Sequence, residues 1–261
     1  MRQALVGKHD PATVHGVEVT VARNRVTEIL FAVLTPGADD VPPQSRLVGL
    51  CADQLPVSGA GLAFMSTRGH GGTVAASDDA AAELEDLQFT LGEGPCLDAS
   101  RTGRPVLVPD LVGSGPRRWP AFTDEAQAAG VRAVFALPLR VGAIRVGVLD
   151  LYRDAAGGLS SDALREALAF ADAATTLLLH LQAGGEGAGL PLDTVPGLDD
   201  RAEVHQATGI VSVHAGVGLD EALTLLRARA YAEQRPIADV AQDVLSGRIR
   251  FGEDDRWSDD T

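Results

Sequence analysis

The segment LGEGPCLDASRTGRPV, residues 91–106, gathers residue types from which a reactive site could be built. Glu93 and Asp98 are candidates for a general acid and base, and Cys96 is one of only two cysteines in the chain. Pro95 suits the first turn of a helix, which would place Cys96 where the helix dipole favours a thiolate. A phosphate-binding loop is excluded, because no lysine with a following serine or threonine comes after the glycines, and Glu93 would repel a phosphate.

The same segment has a structural interpretation, which we favour. Its glycines supply turn positions of positive φ, Pro95 starts a helix, and Cys96 faces inward as a small apolar side chain. Asp98 is then free to pair with Arg101 or Arg104 on the next turn. The segment is therefore predicted to be architecture rather than an active site.

Composition limits the classes of function. The chain has 261 residues, a net charge of −14 and a single lysine, Lys8. This charge argues against general nucleic-acid or membrane-surface binding, so any contact with a polyanion must be local. Two cysteines form neither a disulfide framework nor a metal site, and His205 and His214 lack further ligands. We expect no metal, no cofactor and no membrane span, and a cytoplasmic protein.

Hydrophobic periodicity divides the chain into two units. Strand and helix signals alternate through residues 23–182, with a hairpin expected at Val141 and Gly142. Three helical segments and no strand signal fill 198–250. The predicted fold class is α+β, a mostly antiparallel sheet flanked by helices and followed by an all-α three-helix domain.

The boundaries of these units come from composition. A glycine- and proline-rich linker at 183–197 separates them, and irregular tails are predicted at 1–22 and 251–261, the latter acidic. The helical unit is too small for its own core to stabilise it strongly, so we expect it to pack on a partner surface.

The order of elements, together with the G-E-G-P-C turn before a T-G-R-P strand, resembles a GAF domain of the kind found in actinobacterial proteins. The C-terminal stretch resembles an ANTAR domain. The residues that carry this second resemblance are Gln206, Ala207, Gly209, Ile210, Asp220, Glu221, Ala222, Leu226, Arg227, Ala230, Asp239, Val240 and Ala241.

The resemblance implies a signal-responsive regulator of transcription antitermination that binds paired RNA stem-loops as a homodimer. The GAF domain would sense a small molecule or hold the dimer, and Glu93, Cys96 and Asp98 would border its ligand pocket. The implied protein is not an enzyme.

RNA contacts are expected on the helical unit. The candidates are Arg201, His205, Gln206, Thr208, Arg227, Arg229 and Arg235. Arginine suits this role because its planar fork engages phosphates and stacks on unpaired bases. Residues 201–252 contain six arginines and six carboxylates, so binding requires the arginines to share one face.

Two other functions remain open. The second and third helices could imitate a helix-turn-helix, which would make the protein a DNA-binding transcription regulator. Free methionine sulfoxide reductases are also built on GAF folds, and a redox role for Cys96 would then need a second cysteine nearby. Cys51 is the only other cysteine, and it is predicted on the inner face of an earlier helix.

Overall fold

The computed structural model describes residues 24–36, 41–66, 69–183 and 199–252. Five strands form one antiparallel sheet in the order β2-β1-β5-β4-β3. They are β1 (Gly59–Ser66), β2 (Gly69–Ala76), β3 (Val106–Val108), β4 (Ala133–Val141) and β5 (Ile144–Arg153). The predicted sheet is confirmed. Its hairpin is shifted by one residue, because Val141 pairs with Ile144 and leaves Gly142 and Ala143 in the turn.

Helices cover both faces of the sheet. They are α1 (24–34), α2 (Pro43–Gln54), α3 (Asp79–Leu91), α4 (Pro95–Thr102), α5 (Leu111–Ser114), α6 (Pro120–Ala128) and α7 (Ser161–Ala183). The short α5 was not predicted. Its single turn is fixed by Asp110, whose carboxylate accepts a hydrogen bond from the Gly113 N–H at 3.1 Å, a local capping signal too short to give periodicity.

The sheet separates two apolar cores, because successive side chains of a strand point to opposite faces. Phe135 and Leu137 of β4 face α1, α2 and α7, whereas Val134 and Ala136 face α3, α4 and α6. Cys51 lies in the first core and Cys96 in the second. The two sulfur atoms are thus on opposite sides of the sheet, and burial raises the pKa of the Cys51 thiol.

Helix α3 begins at a residue that also holds β5. The Asp78 carboxylate accepts from the Ala81 N–H at 2.7 Å and caps the helix. The Tyr152 hydroxyl donates to the same carboxylate, 3.1 Å from each oxygen. Burial first, then the hydrogen bond to the Asp78 carboxylate and then its charge, raise the pKa of Tyr152 to about 12.

This hydrogen bond leads to a prediction about pH. In a Tyr231→Phe variant, Tyr152 is the only tyrosine, and its phenolate absorbance after a rapid pH jump should appear near pH 12. Because the folded pKa lies above the unfolded value of about 10, the stabilisation is complete below pH ~10 and is lost as pH rises through the folded pKa. Adding Asp78→Asn, which keeps the helix cap, should lower the midpoint. An unchanged midpoint would contradict the role of the Asp78 charge.

Three helices form the C-terminal unit of the described chain: α8 (Asp199–Ala215), α9 (Leu219–Glu233) and α10 (Ile237–Leu245). Their shared core contains the predicted positions Val204, Ala207 and Val211. It also contains Phe251, which the predicted boundary placed in the tail, and Phe89 of α3. The helical unit was expected to pack on a partner surface; in the structure it packs on α3 of the same chain.

Residues 184–198 lie outside the described residues, as do 1–23 and 253–261. All of the predicted linker except its first residue, the whole N-terminal tail and most of the C-terminal tail are therefore not described. No single described helix has the length and apolarity to cross a bilayer. Two consecutive helical segments, Ala202–Ala215 and Leu219–Glu233, are long and apolar enough only when taken together, and they meet at a bend of 105°.

Candidate functional site

The G-E-G-P-C turn has the backbone geometry predicted for it. Gly92 ends α3 at φ 68° and Gly94 lies at φ 140°, both in the region that favours glycine. Pro95 then starts α4, and the Cys96 N–H donates to Gln88 Oε1 at 2.8 Å. A Cβ at Gly94 would lie 2.6 Å from that same oxygen, so glycine is needed for the close approach.

The acids of this segment hold neighbouring elements together. The Phe122 N–H donates to Glu93 Oε1 at 2.9 Å, which fixes the first turn of α6. Asp98 pairs with Arg101 at 2.6 Å, as one alternative predicted, and with Arg118 at 2.9 Å. Arg118, from the loop between α5 and α6, is a partner that was not predicted. These contacts support the architectural interpretation of the segment.

A cluster of buried polar side chains lies beneath the turn. Donor atoms of Glu85, Cys96 and Asp150 all lie within 4.8 Å of one another. Gln88, on the next turn of α3, reaches the same place. Burial first, and then the charge of Glu85, raise the pKa of Asp150 well above its ordinary value. Only Cys96 of this buried acidic cluster was identified from the sequence.

The sequence did carry signals for the other members of the buried acidic cluster. Glu85 and Gln88 lie four and seven residues after the buried Ala81, on the inner stripe of α3. Asp150 interrupts the apolar run VGVLDLY of β5, at the same face as Val148 and Tyr152. A charged residue in such a position is rarely buried without a specific reason.

Arg227, one of the predicted RNA contacts, is turned toward the first domain. Its Nε donates to the Phe89 carbonyl oxygen at 3.0 Å, and its guanidinium carbon lies 5.7 Å from the centre of the Phe89 ring. A Cβ at Gly92 would come within 2.6 Å of Arg227 Nη1. Burial lowers the pKa of Arg227 to about 10, so the guanidinium stays charged at neutral pH. We call this contact of α9 with the end of α3 the α3–α9 contact.

Other arginines of the helical unit form one connected network at its surface. Arg229 pairs with Glu233, which also binds Arg235 at 3.0 Å. Arg235 reaches Asp243 at 2.7 Å, and Arg248 binds the other oxygen of Asp243 at 2.6 Å. Hydrogen bonds from Arg229 and Arg235 hold the pKa of Glu233 below its ordinary value, and those from Arg235 and Arg248 do so for Asp243. Three guanidinium groups thus share two carboxylates, and we call this set the arginine network.

The remaining predicted RNA contacts are divided between the surface and the core. His205 and Gln206 are exposed. Thr208 is buried instead, and its hydroxyl donates to the Val204 carbonyl oxygen at 2.7 Å, so the side chain is not available to RNA. Its spacing of four residues from Val204 was the signal for this inward position. The side chain of Arg201 lies outside the described residues.

Comparison with known proteins assigns both domains. The sequence model of the GAF domain matches residues 46–178, slightly more than half of the chain, and that of the ANTAR domain matches residues 197–245. Comparison with the curated proteins gave no match.

Solved structures give further similarities. The chain is similar to the GAF domain of an Acinetobacter phosphoenolpyruvate-protein phosphotransferase, at 14% identity over 66% of this chain and 98% of that one, with a TM-score of 0.45. It is also similar to a GAF domain/HD domain protein from Geobacter sulfurreducens, at 17% identity over 58% and 100%, with a TM-score of 0.45. A third similar structure is a free methionine-R-sulfoxide reductase from Neisseria meningitidis, at 17% identity over 69% of this chain and 96% of that one, with a TM-score of 0.41.

The domain order gives the general role of the protein. A GAF domain is a signal-sensing domain and an ANTAR domain is that of RNA-binding antitermination regulators, so their combination is a regulatory architecture. The chain belongs to the GAF family and carries an ANTAR domain after its GAF domain.

Proposed function

We propose that this protein promotes transcription antitermination by binding paired RNA stem-loops, and that its GAF domain restrains the ANTAR domain through the α3–α9 contact. The observation that carries this proposal is the position of Arg227. A cation suited to phosphate binding is held against Phe89, where the GAF domain partly covers it. A signal that moves α3 would release it.

The arginine network supplies the rest of the proposed RNA surface. Its side chains keep substantial exposure, 42% for Arg229, 37% for Arg235 and 66% for Arg248. Exposed ion pairs contribute little to stability, so a phosphate can replace a carboxylate at little cost. His205 and Gln206 are proposed to contact RNA as well, and Arg201 remains a candidate from the resemblance.

We further propose that the protein is a cytoplasmic homodimer, that it responds to a small-molecule signal, and that its role is regulatory rather than catalytic. Exposed apolar side chains on two neighbouring helices support the dimer: Phe31 and Leu34 of α1, and Leu168 and Leu179 of α7. Separation of Cys51 and Cys96 by the sheet weighs against a two-cysteine reductase.

RNA binding by the full-length chain tests the proposal. Fluorescence anisotropy at one fixed salt concentration would compare an RNA of two hairpins with a single hairpin and with duplex DNA of equal length. We expect the two-hairpin RNA to bind most tightly, with two protomers per RNA. Arg229→Ala should weaken binding, because it removes a cation from the arginine network.

Arg145→Ala is the matched control, since Arg145 is an exposed arginine of the GAF hairpin. Its loss should leave RNA affinity nearly unchanged. Equal binding of duplex DNA would instead favour the DNA-binding alternative. If neither the wild type nor a variant with an opened α3–α9 contact binds the two-hairpin RNA, the proposal is wrong.

A further inference from the structure

The buried acidic cluster brings together three groups that each become negative on losing a proton. Glu85 comes from α3, Cys96 from the first turn of α4, and Asp150 from the middle of β5. Their exposed fractions are 1%, 0% and 2%. Three separate elements therefore converge on one point inside the GAF domain.

Ordinary hydrogen bonding does not account for the Asp150 carboxylate. Neither of its oxygens has a partner at hydrogen-bonding geometry, although both are fully buried. The groups that act on it are Glu85, Cys96 and Gln88, none of which is a cation. A buried carboxylate without a counter-charge is costly to ionise, so a cation bound among these side chains would stabilise the charged form of Asp150.

We propose that Glu85, Cys96 and Asp150 bind a divalent transition-metal ion of the Zn²⁺ class. A tetrahedral zinc ion places thiolate and carboxylate ligands about 3.4–3.6 Å apart, so donors within 4.8 Å need approach by only about 1 Å. The thiolate favours such an ion over Mg²⁺ or Ca²⁺, which prefer all-oxygen sites. Three protein ligands leave a fourth position open.

The surrounding backbone is built for this convergence. Gly61 is paired with Asp150 across the β1–β5 ladder, and a Cβ on Gly61 would lie 2.5 Å from Glu85 Oε1. Glycine there lets the Glu85 side chain reach the sheet. Gln88 accepts the Cys96 N–H and so fixes the first turn of α4, as groups outside the ligand set commonly orient metal ligands.

Metal binding by the buried acidic cluster does not depend on the proposed function. A role for the metal as the signal that moves α3 does rest on the proposed function. Glu85 lies one helical turn before Phe89 on α3. Closing the three ligands around an ion would therefore act on the helix that holds Arg227.

The test is metal binding by the full-length chain, with no RNA present. Chelator-treated protein would be titrated with ZnCl₂, with metal content read by mass spectrometry, and separately with CoCl₂, with the absorbance spectrum recorded. We expect about one ion per chain at this site and, with cobalt, a thiolate-to-metal charge-transfer band in the near ultraviolet. The wild-type spectrum alone is informative, because bound cobalt without that band would overturn the proposal.

Variants locate the ion. Cys96→Ser should abolish the charge-transfer band, and Asp150→Asn should weaken binding at least about tenfold, with folding checked by circular dichroism. Cys51→Ala is the matched control, because it removes the other buried thiol on the far side of the sheet and should keep the band. Binding that persists in both Cys96→Ser and Asp150→Asn would assign the ion elsewhere and overturn the proposal. Failure of RNA binding would leave this result unaffected.

Discussion

Replacing Phe89 with alanine is expected to tighten binding of the full-length chain to a two-hairpin RNA by about tenfold. The Phe89 ring is buried in the core of the ANTAR helices and lies next to the Arg227 guanidinium. Removing it deletes most of the apolar part of the α3–α9 contact. Because the apparent affinity scales with the fraction of binding-competent molecules, opening the contact should strengthen RNA binding.

The Arg227→Ala substitution distinguishes the opening of the α3–α9 contact from direct binding of Arg227 to RNA. Placed in the Phe89→Ala background, it should weaken RNA binding by about 1–3 kcal/mol and lower the salt slope by about one, because one guanidinium no longer meets RNA. Anisotropy titrations at several salt concentrations measure both effects. Phe64→Ala makes the same deletion in β1, away from the ANTAR helices, and should not change RNA affinity.

Two results would count against this control of RNA binding. Weaker binding by Phe89→Ala would mean that the α3–α9 contact supports the RNA-binding conformation. If adding Arg227→Ala to the Phe89→Ala variant left the affinity unchanged, Arg227 would not belong to the RNA surface.

Replacing Gly147 with alanine is expected to destabilise the GAF domain by about 3 kcal/mol, at the upper end for overpacked cores. Gly147 lies in β5 between Phe64 of β1 and Leu139 of β4. A Cβ there would lie 2.4 Å from the Ala63 carbonyl oxygen and 2.9 Å from Leu178 Cδ1. A backbone oxygen in the middle of a sheet cannot yield without disturbing the ladder.

Gly49→Ala is the matched control within the same domain. Gly49 lies inside α2, where an added Cβ has nothing within 4 Å, so alanine should stabilise the helix by up to about 1 kcal/mol. Both variants would be unfolded in urea in a Trp257→Phe background, which leaves the buried Trp119 as the fluorescent probe of the GAF core. Equal stability of Gly147→Ala and the wild type would contradict the packing around β5.

Local features of the fold were predictable from the sequence. The turn at Gly92 and Gly94 and the start of α4 at Pro95 depend on conformational preferences of single residues. The inward face of α8 followed from the spacing of Val204, Ala207 and Val211. Such features need no knowledge of what lies across the chain.

Contacts between distant segments were not predictable in the same way. The meeting of Glu85 with Asp150 depends on the β1–β5 ladder and on the packing of α3 over it. Arg227 meets Phe89 across 138 positions of sequence, and helical spacing alone cannot separate an arginine that faces solvent from one that faces a second domain. The sequence therefore indicated which arginines could bind RNA but not which of them the GAF domain covers.

Helix α3 contributes to two hydrophobic cores: Leu84 packs inside the GAF domain, and Phe89 packs among the ANTAR helices. An equilibrium coupling carried by such a shared element is reciprocal in binding free energy. Whatever factor a GAF ligand imposes on RNA affinity, RNA must impose on the affinity for that ligand. A bound RNA would thus change the affinity of the GAF domain for its ligand by the same factor.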